Sequence, residues 1–376
     1  MEEFRRWAPN MTVICVTLAI QVYVLRQLLR RAPQWRRQAW AGFAFATAWM
    51  AVAVPYLISH RTQGLSSAAI SYLVAGSLFW VLVMTSAAVW LKIAQPVLFD
   101  PRRRHLLALA APAAAAPLVS AGFGVIVARQ GPRVTEISLP FQGLPKDLHG
   151  LRIAQLTDIH YGPFLNQIDL RRAVDIANEL RPHLTVLTGD LITRRGDDLE
   201  GCLQVLKALR SDAGVFGCHG NHEYYAGTLD LTTRLGARAG LRFLRGESAL
   251  LRFGAANLQL AGHDYEKMGS RYLPGLEAMV RPDAFNLLLQ HNPDVFPRAS
   301  SAGFQAILSG HTHGGQINVE ILEENVNVAR FFTPYVKVRY EIEGRQLYVS
   351  SGLGTVGVPI RLGAPPEVTL IKLCGA

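Results

Sequence analysis

The sequence predicts a helical membrane region followed by an α/β domain. Four long apolar stretches occupy the first third of the chain, and the excess positive charge lies beside them. After about Gly131, charged residues return and short apolar runs alternate with amphipathic stretches, which is typical of a layered α/β fold. The predicted domain boundaries are therefore 1–130 for the membrane region and 131–376 for the second domain.

Each apolar stretch has about twenty residues, the length that a helix needs to cross the hydrocarbon core of a bilayer. Buried helices of a soluble domain would show polar faces, whereas these stretches carry almost no charge on any side. We therefore expect about four transmembrane helices. They lie at Met11–Leu29, Ala39–Ser59, Ala68–Leu91 and Leu106–Ala128.

The net charge of +10 belongs to the first part of the chain. Residues 1–135 contain 14 Lys or Arg and 3 Asp or Glu, whereas the rest contains 24 basic and 25 acidic residues. Basic residues beside apolar segments set membrane topology, and little basic charge remains to follow a nucleic-acid backbone. We expect a lipid bilayer and no nucleic acid as a partner.

The basic residues also predict an orientation. The first loop contains five Arg and the third contains Lys92 and three Arg, whereas the second contains only Arg61. Loops rich in Lys and Arg stay in the cytoplasm. With an even number of spans, the second domain would lie outside the cytoplasmic (inner) membrane. The predicted localisation is a multi-pass inner-membrane protein with an extracytoplasmic domain.

Five short apolar runs in the second domain predict buried strands. Between the first two, residues 167–180 place apolar side chains at helical spacing. A further strand is predicted near Val134–Phe141. The five runs are Leu151–Leu156, Leu184–Thr188, Gly214–Cys218, Asn286–Gln290 and Phe304–Ser309.

Polar side chains with metal-binding chemistry follow each of the five strands. Because ligands bind at the carboxyl ends of strands in α/β sheets, these loops can converge on one site. Imidazole nitrogens with carboxylate and amide oxygens suit Zn, Mn or Fe. Eight groups are too many for one ion and fit two ions that share a bridge. In chain order they are Asp158, His160, Asp190, Asn221, His222, His291, His311 and His313.

In this order the motifs resemble the calcineurin-like metallophosphoesterase superfamily, over about residues 131–373. Many members begin the first motif with Gly, whereas Thr157 stands here. The run from Gly352 to Glu367 also resembles a bacterial, membrane-anchored subgroup. The fold that the resemblance implies is a β-sandwich of two mixed sheets flanked by helices.

The resemblance implies a role for each polar group. Two divalent ions, of Mn, Fe or Zn, would be bound, and His222 would be a catalytic imidazole that is not a ligand. Arg361 either binds substrate phosphate or forms a structural ion pair, and both alternatives remain open. The first ion would be held by Asp158, His160 and His313, the second by Asn221, His291 and His311, and both by Asp190.

The predicted function is a membrane-anchored phosphoesterase. Hydroxide bridging two metals would attack a phosphomonoester or phosphodiester, and a lipid or cell-envelope phosphate is an expected substrate. One alternative is a UDP-2,3-diacylglucosamine-type pyrophosphate hydrolase of lipid A synthesis, a reaction expected on the cytoplasmic side. A second is an inactive metal-binding membrane scaffold or sensor. A transporter is disfavoured because the apolar stretches contain no Asp or Glu.

Overall fold

The computed structural model describes residues 2–59, 65–98, 104–266, 273–321 and 324–376. The chain divides into two compact units, Met1–Gly124 and Val125–Ala376. The first unit contains helices α1 to α3 and most of α4. These helices are α1 (Glu2–Arg31), α2 (Arg36–Ser59), α3 (Ser67–Leu98) and α4 (Arg104–Arg129).

The four apolar stretches all lie in helices, but the described residues support one candidate span in place of the expected four. Within the described residues, only Ser67–Lys92 of α3 is long and apolar enough to cross a membrane. In α1, Arg26 and the buried Gln21 interrupt the apolar residues. The described apolar part of α4, Leu118–Arg129, is shorter than a span.

The predicted membrane orientation of the second unit also loses part of its support. The orientation depended on an even number of spans, and the described residues contain one candidate span. Arg61, Arg102 and Arg103, which contributed to it, lie outside the described residues. The extracytoplasmic placement of the second unit therefore stays a prediction.

The described strands of the second unit form two mixed six-stranded sheets and one hairpin. The first sheet has the order β1-β14-β2-β3-β4-β5, the second has the order β12-β13-β9-β8-β7-β6, and β10 pairs with β11. In chain order the strands are β1 (Arg133–Phe141), β2 (Arg152–Leu156), β3 (Leu184–Thr188), β4 (Val215–Cys218), β5 (Leu241–Phe243), β6 (Glu247–Phe253), β7 (Ala256–Gly262), β8 (Phe285–Leu289), β9 (Ala306–Ser309), β10 (Asn318–Ile321), β11 (Glu324–Asn327), β12 (Val338–Ile342), β13 (Arg345–Val349) and β14 (Glu367–Gly375).

The two sheets pack face to face across an apolar core. Ile153 and Val186 of the first sheet and Leu260 and Leu287 of the second are fully buried in this core. Helices cover the outer faces, with α5, α6 and α8 on the first sheet and α9 on the second. Two mixed sheets flanked by helices is the fold that the resemblance implied. These helices are α5 (Gln167–Glu179), α6 (Leu199–Leu206), α7 (Asn221–Ala226), α8 (Leu229–Arg238) and α9 (Phe296–Ala302).

All five predicted strands are present within two residues of their predicted bounds, as is β1. Helix α5 begins where predicted because the Asn166 side chain accepts hydrogen bonds from the backbone nitrogens of Ile168 and Asp169. Strand β14 was not predicted. It lies between β1 and β2, parallel to the first and antiparallel to the second.

Candidate metal centre

The eight predicted polar groups lie at one edge of the sandwich. They follow β2, β3 and β4 of the first sheet and β8 and β9 of the second. Backbone hydrogen bonds join the loops to one another. Asp158 N donates to Gly189 O at 3.1 Å, and Gly310 N donates to His291 O at 3.1 Å. The loops therefore form one connected structure in which the two sheets contribute to one site.

Five of the site residues have a left-handed backbone. This conformation is uncommon for a residue other than Gly, and it concentrates at functional sites where the surroundings enforce it. Here it turns successive side chains toward the same centre. The φ angles are 51° at Asp158, 49° at His160, 55° at Asp190, 76° at His311 and 53° at His313.

Two glycines allow the loops to approach the carboxylates. A Cβ at Gly220 would overlap Asp190 Oδ1, and a Cβ at Gly310 would overlap Asp158 Oδ2. In both places the overlapped atom is a polar atom of the site itself. The glycines that precede the polar motifs are therefore needed for close packing around the two carboxylates.

Asp158, His160 and His313 form a first group of candidate ligands. The Nε2 atoms of His160 and His313 lie 3.1 Å apart. His313 Nε2 lies 3.3 Å from Asp158 Oδ1. Ligand atoms of these three residues all lie within 4.8 Å of one another, so they could hold one metal ion.

A second group contains Asp190, His291, His311 and Asn221. His291 Nε2 lies 3.0 Å from Asp190 Oδ2 and 3.1 Å from Asn221 Oδ1. His311 Nδ1 lies 2.8 Å from the same Asn221 oxygen. His291 Nδ1 donates to Thr188 O at 2.6 Å, which leaves Nε2 as the nitrogen directed at the other ligand atoms.

Asp190 lies between the two groups. Its Oδ2 atom is 3.0 Å from His291 Nε2 in the second group and 3.6 Å from His160 Nε2 in the first. Its Oδ1 atom accepts a hydrogen bond from His222 N at 2.9 Å. One carboxylate oxygen is thus close to both candidate metal positions.

The donor chemistry of the site fits a cation. Burial lowers the pKa of His160 and of His313 well below the ordinary value, so both imidazoles are neutral near pH 7. Two nitrogens at 3.1 Å can share only one proton, and the buried His313 Nδ1 has no hydrogen-bond partner among the described residues. Nitrogen lone pairs and carboxylate oxygens that face one another in a buried site are the ligands that a divalent transition metal prefers.

The two carboxylates differ in their electrostatics. Burial, together with the nearby Asp190, raises the pKa of Asp158 to about 6. Burial would also raise the pKa of Asp190, but His291 and His222 outweigh it and hold that pKa well below its usual range. Burial would lower the pKa of His291, yet Asp190 raises it to about 10. Without a metal, Asp190 and His291 therefore form a buried ion pair.

His222 lies at the open side of the site, with 15% of its side chain exposed. Its Nδ1 donates to Thr193 O at 2.5 Å, which leaves Nε2 as the atom that can take or release a proton. Nε2 lies 4.0 Å from Asp190 Oδ2. His222 also forms a third group within ligand distance with His160 and Asp190, so geometry alone allows both a catalytic and a ligand role.

Comparison with known proteins agrees with this arrangement. Residues 151–315, which contain all eight groups, match the calcineurin-like phosphoesterase family. The chain carries a calcineurin-like metallophosphoesterase domain. Three relatives show how far the similarity extends.

A Bos taurus "Transmembrane protein with metallophosphoesterase domain" is 32% identical over 271 residues, which cover 67% of this chain and 60% of the relative. An uncharacterized metallophosphoesterase of Campylobacter jejuni is 33% identical over 251 residues, covering 65% and 64%. One of Aquifex aeolicus is 29% identical over 256 residues, covering 65% and 92%. The chain spans about 60% of the length of the Bos taurus relative.

Glu223 has a role in the metallophosphoesterase domain that its motif alone did not identify. It is buried, and its oxygens accept hydrogen bonds from four backbone nitrogens. These are Asp190 N at 2.9 Å, Leu191 N at 2.7 Å, Ile192 N at 3.3 Å and Gly220 N at 2.8 Å.

Arg361 occupies a structural position in the metallophosphoesterase domain. It is fully buried, and its guanidinium donates to the carbonyl oxygens of Gly354, Ala364 and Ser351. Burial lowers its pKa to about 10, so it stays charged at neutral pH. These bonds favour the structural alternative over binding of a substrate phosphate. The partners of Arg361 are carbonyl groups and not the carboxylate that a structural ion pair would have.

Proposed function

We propose that the second unit is a dimetal phosphoesterase that hydrolyses a phosphomonoester or phosphodiester. The position of Asp190 Oδ2, 3.0 Å from His291 Nε2 and 3.6 Å from His160 Nε2, is the observation that carries the proposal. A carboxylate that contacts two metal positions offsets the repulsion between two cations. The first ion would be held by Asp158, His160 and His313, the second by Asn221, His291 and His311, and both by Asp190.

A pair of Mn, Fe or Zn ions bound there would supply Lewis acidity toward the phosphoryl group and an activated water nucleophile. The remaining step, proton transfer to the leaving group, is assigned to His222. With Nδ1–H bonded to Thr193 O, the ring is oriented so that Nε2 can hold a proton toward the site. We propose that this proton goes to the leaving oxygen of the substrate, which makes His222 the general acid.

The substrate proposal combines the site with the first unit. The candidate span in α3 and the transmembrane naming of the Bos taurus relative support association with a membrane. A phosphoesterase held at a bilayer gains most on a substrate that is also held there. We therefore propose a lipid-linked or cell-envelope phosphate as the natural substrate, with the site on the extracytoplasmic side of the inner membrane.

The experiment is a panel assay of the purified full-length chain. Phosphomonoesters, phosphodiesters and lipid head-group phosphates in vesicles are each assayed after chelation and after addition of Mn, Fe or Zn. We expect turnover only with added metal. Asp190→Asn should abolish it because one change weakens both metal positions.

Asp175→Asn, an exposed carboxylate on α5, is the matched control and should behave as the unchanged protein. Full turnover by chelated protein would overturn the proposal. Bound metal without turnover on any ester would instead support the inactive scaffold.

A further inference from the structure

Three tyrosines form a cluster beside the metal centre that the proposed chemistry does not use. Tyr224 and Tyr225 lie in α7, directly after His222 and Glu223. Tyr265 lies 40 residues further along the chain, after β7. The Tyr265 ring centroid is 6.1 Å from each of the other two, and Tyr224 and Tyr225 are 5.7 Å apart. The hydroxyl oxygens of Tyr225 and Tyr265 are 3.5 Å apart.

The cluster adjoins the two most exposed histidines of the site. The Tyr225 ring centroid lies 6.5 Å from that of His222, with the ring planes nearly perpendicular. The Tyr265 ring centroid lies 6.1 Å from that of His311. Both histidines are partly exposed, whereas His160, His291 and His313 are buried. The tyrosines therefore flank the side on which a substrate can enter.

The three rings are not part of an apolar core. Tyr224 is 45% exposed and Tyr225 is 43% exposed, and Tyr265 is half-buried. The Tyr225 ring meets the rings of Tyr265 and Tyr224 edge to face, at 64° and 71° between planes. Exposed aromatic faces held in a fixed arrangement bind other flat rings by stacking, with little dependence on ring identity.

We infer that Tyr224, Tyr225 and Tyr265 form a subsite for an aromatic ring, an aryl group or a nucleobase, carried by the leaving group of the substrate. The inference rests on the proposed function, because His222 is the group proposed to protonate the leaving oxygen. Tyr225 follows His222 by one helical turn, so a ring stacked on the cluster lies on the leaving-group side. The phosphoryl group of the same substrate would then lie at the candidate metal positions.

A binding measurement tests the subsite without turnover. Metal-loaded protein is titrated by calorimetry with phenylphosphonate and with methylphosphonate, which share the phosphonate and differ in the ring. Uridine 5′-monophosphate and ribose 5-phosphate form a second pair that distinguishes a nucleobase from a simple aryl group. We expect the ring-bearing member of at least one pair to bind about 5- to 100-fold more tightly.

Variants assign that preference to the cluster. Tyr265→Leu and Tyr225→Leu should remove most of the ring preference, and Tyr265→Phe should retain it because the ring remains. Phe332→Leu, which removes an aromatic side chain that is 81% exposed elsewhere in the second unit, is the matched control and should leave the preference unchanged.

Kinetics give a second measure through the ratio of kcat/KM on an aryl methyl phosphodiester to that on a dialkyl phosphodiester. The Leu variants should lower this ratio, chiefly through KM on the aryl ester. Equal binding within both pairs of ligands by the unchanged protein would overturn the inference, as would an unchanged ratio in both Leu variants. Absence of turnover with a ring preference intact would contradict the proposed function alone.

Discussion

The carboxylate of Glu223 accepts a hydrogen bond from the backbone nitrogen of Asp190 at 2.9 Å. Glu223 Oε2 also accepts from Gly220 N at 2.8 Å, so one buried side chain connects the loop after β3 to the loop after β4. Asp190 has a φ angle of 55°, a conformation that must be enforced by its surroundings. Glu223 is therefore a positioning residue for the carboxylate proposed to bridge two metals.

Glu223→Gln should weaken metal binding without removing a ligand. An amide has one acceptor oxygen, so one pair of backbone N–H groups would face the NH2 group instead. We expect metal affinity to fall about 10- to 100-fold and stability to fall by about 1–3 kcal/mol. Metal titration and chemical unfolding measure the two effects.

Glu200→Gln, on the exposed side of α6, is the control for that change. Unchanged metal affinity in Glu223→Gln would show that the loop geometry does not depend on this carboxylate. Recovery of turnover by Glu223→Gln at high metal concentration would support a positioning role for Glu223.

His222 and His311 should respond differently to replacement by Ala. His222→Ala should keep both metals and lose turnover by about 10²- to 10⁴-fold, because a general acid is removed. His311→Ala should lose metal, because its Nδ1 belongs to the second ligand group. Metal analysis of the two purified variants distinguishes the roles, and equal metal loss would make His222 a ligand.

Metal binding to the chelated protein should strengthen between about pH 5 and pH 7. The pKa of Asp158 is raised to about 6, so its carboxyl is protonated below that pH and is an ionised ligand above it. The pKa of His291 is raised to about 10, so its proton must leave when an ion binds at pH 8.

Calorimetry in two buffers of different ionisation enthalpy measures both the affinity and the released protons. Affinity that falls as the pH rises from 5 to 7 would contradict the assignment of Asp158. Metal binding without proton release at pH 8 would contradict the assignment of His291 as a ligand.

Arg361→Met should destabilise the second unit. It leaves the carbonyl oxygens of Gly354, Ala364 and Ser351 without their buried charged donor, and we expect a loss on the order of 3 kcal/mol. Arg339→Met, at an exposed position, is the control. A variant of normal stability with a raised KM would instead indicate that Arg361 binds substrate.

The clustering of the eight polar groups was predictable because its signals are local in the sequence. Each polar group follows an apolar strand directly, and Gly220 and Gly310 are needed to avoid overlap with Asp190 and Asp158. Alternating His residues separated by a small residue, as at His311 and His313, also rarely serve packing. Strand ends that converge then bring the eight groups together.

What could not be predicted depends on contacts between distant parts of the chain. Strand β14 pairs with β1, more than 200 residues away, and nothing in its apolar pattern selects that partner. Tyr265 joins Tyr225 only through the fold. Of the four expected spans, the described residues support only the one in α3.

The most direct test of the central claim is a crystal structure of the Mn- or Zn-loaded protein with anomalous diffraction at the metal edge. We expect two anomalous peaks roughly 3.5–4 Å apart, with the Asp190 carboxylate contacting both. His291 and His311 should bind one ion, and His160 and His313 the other. A single peak, or two peaks that do not share Asp190, would contradict the dimetal account.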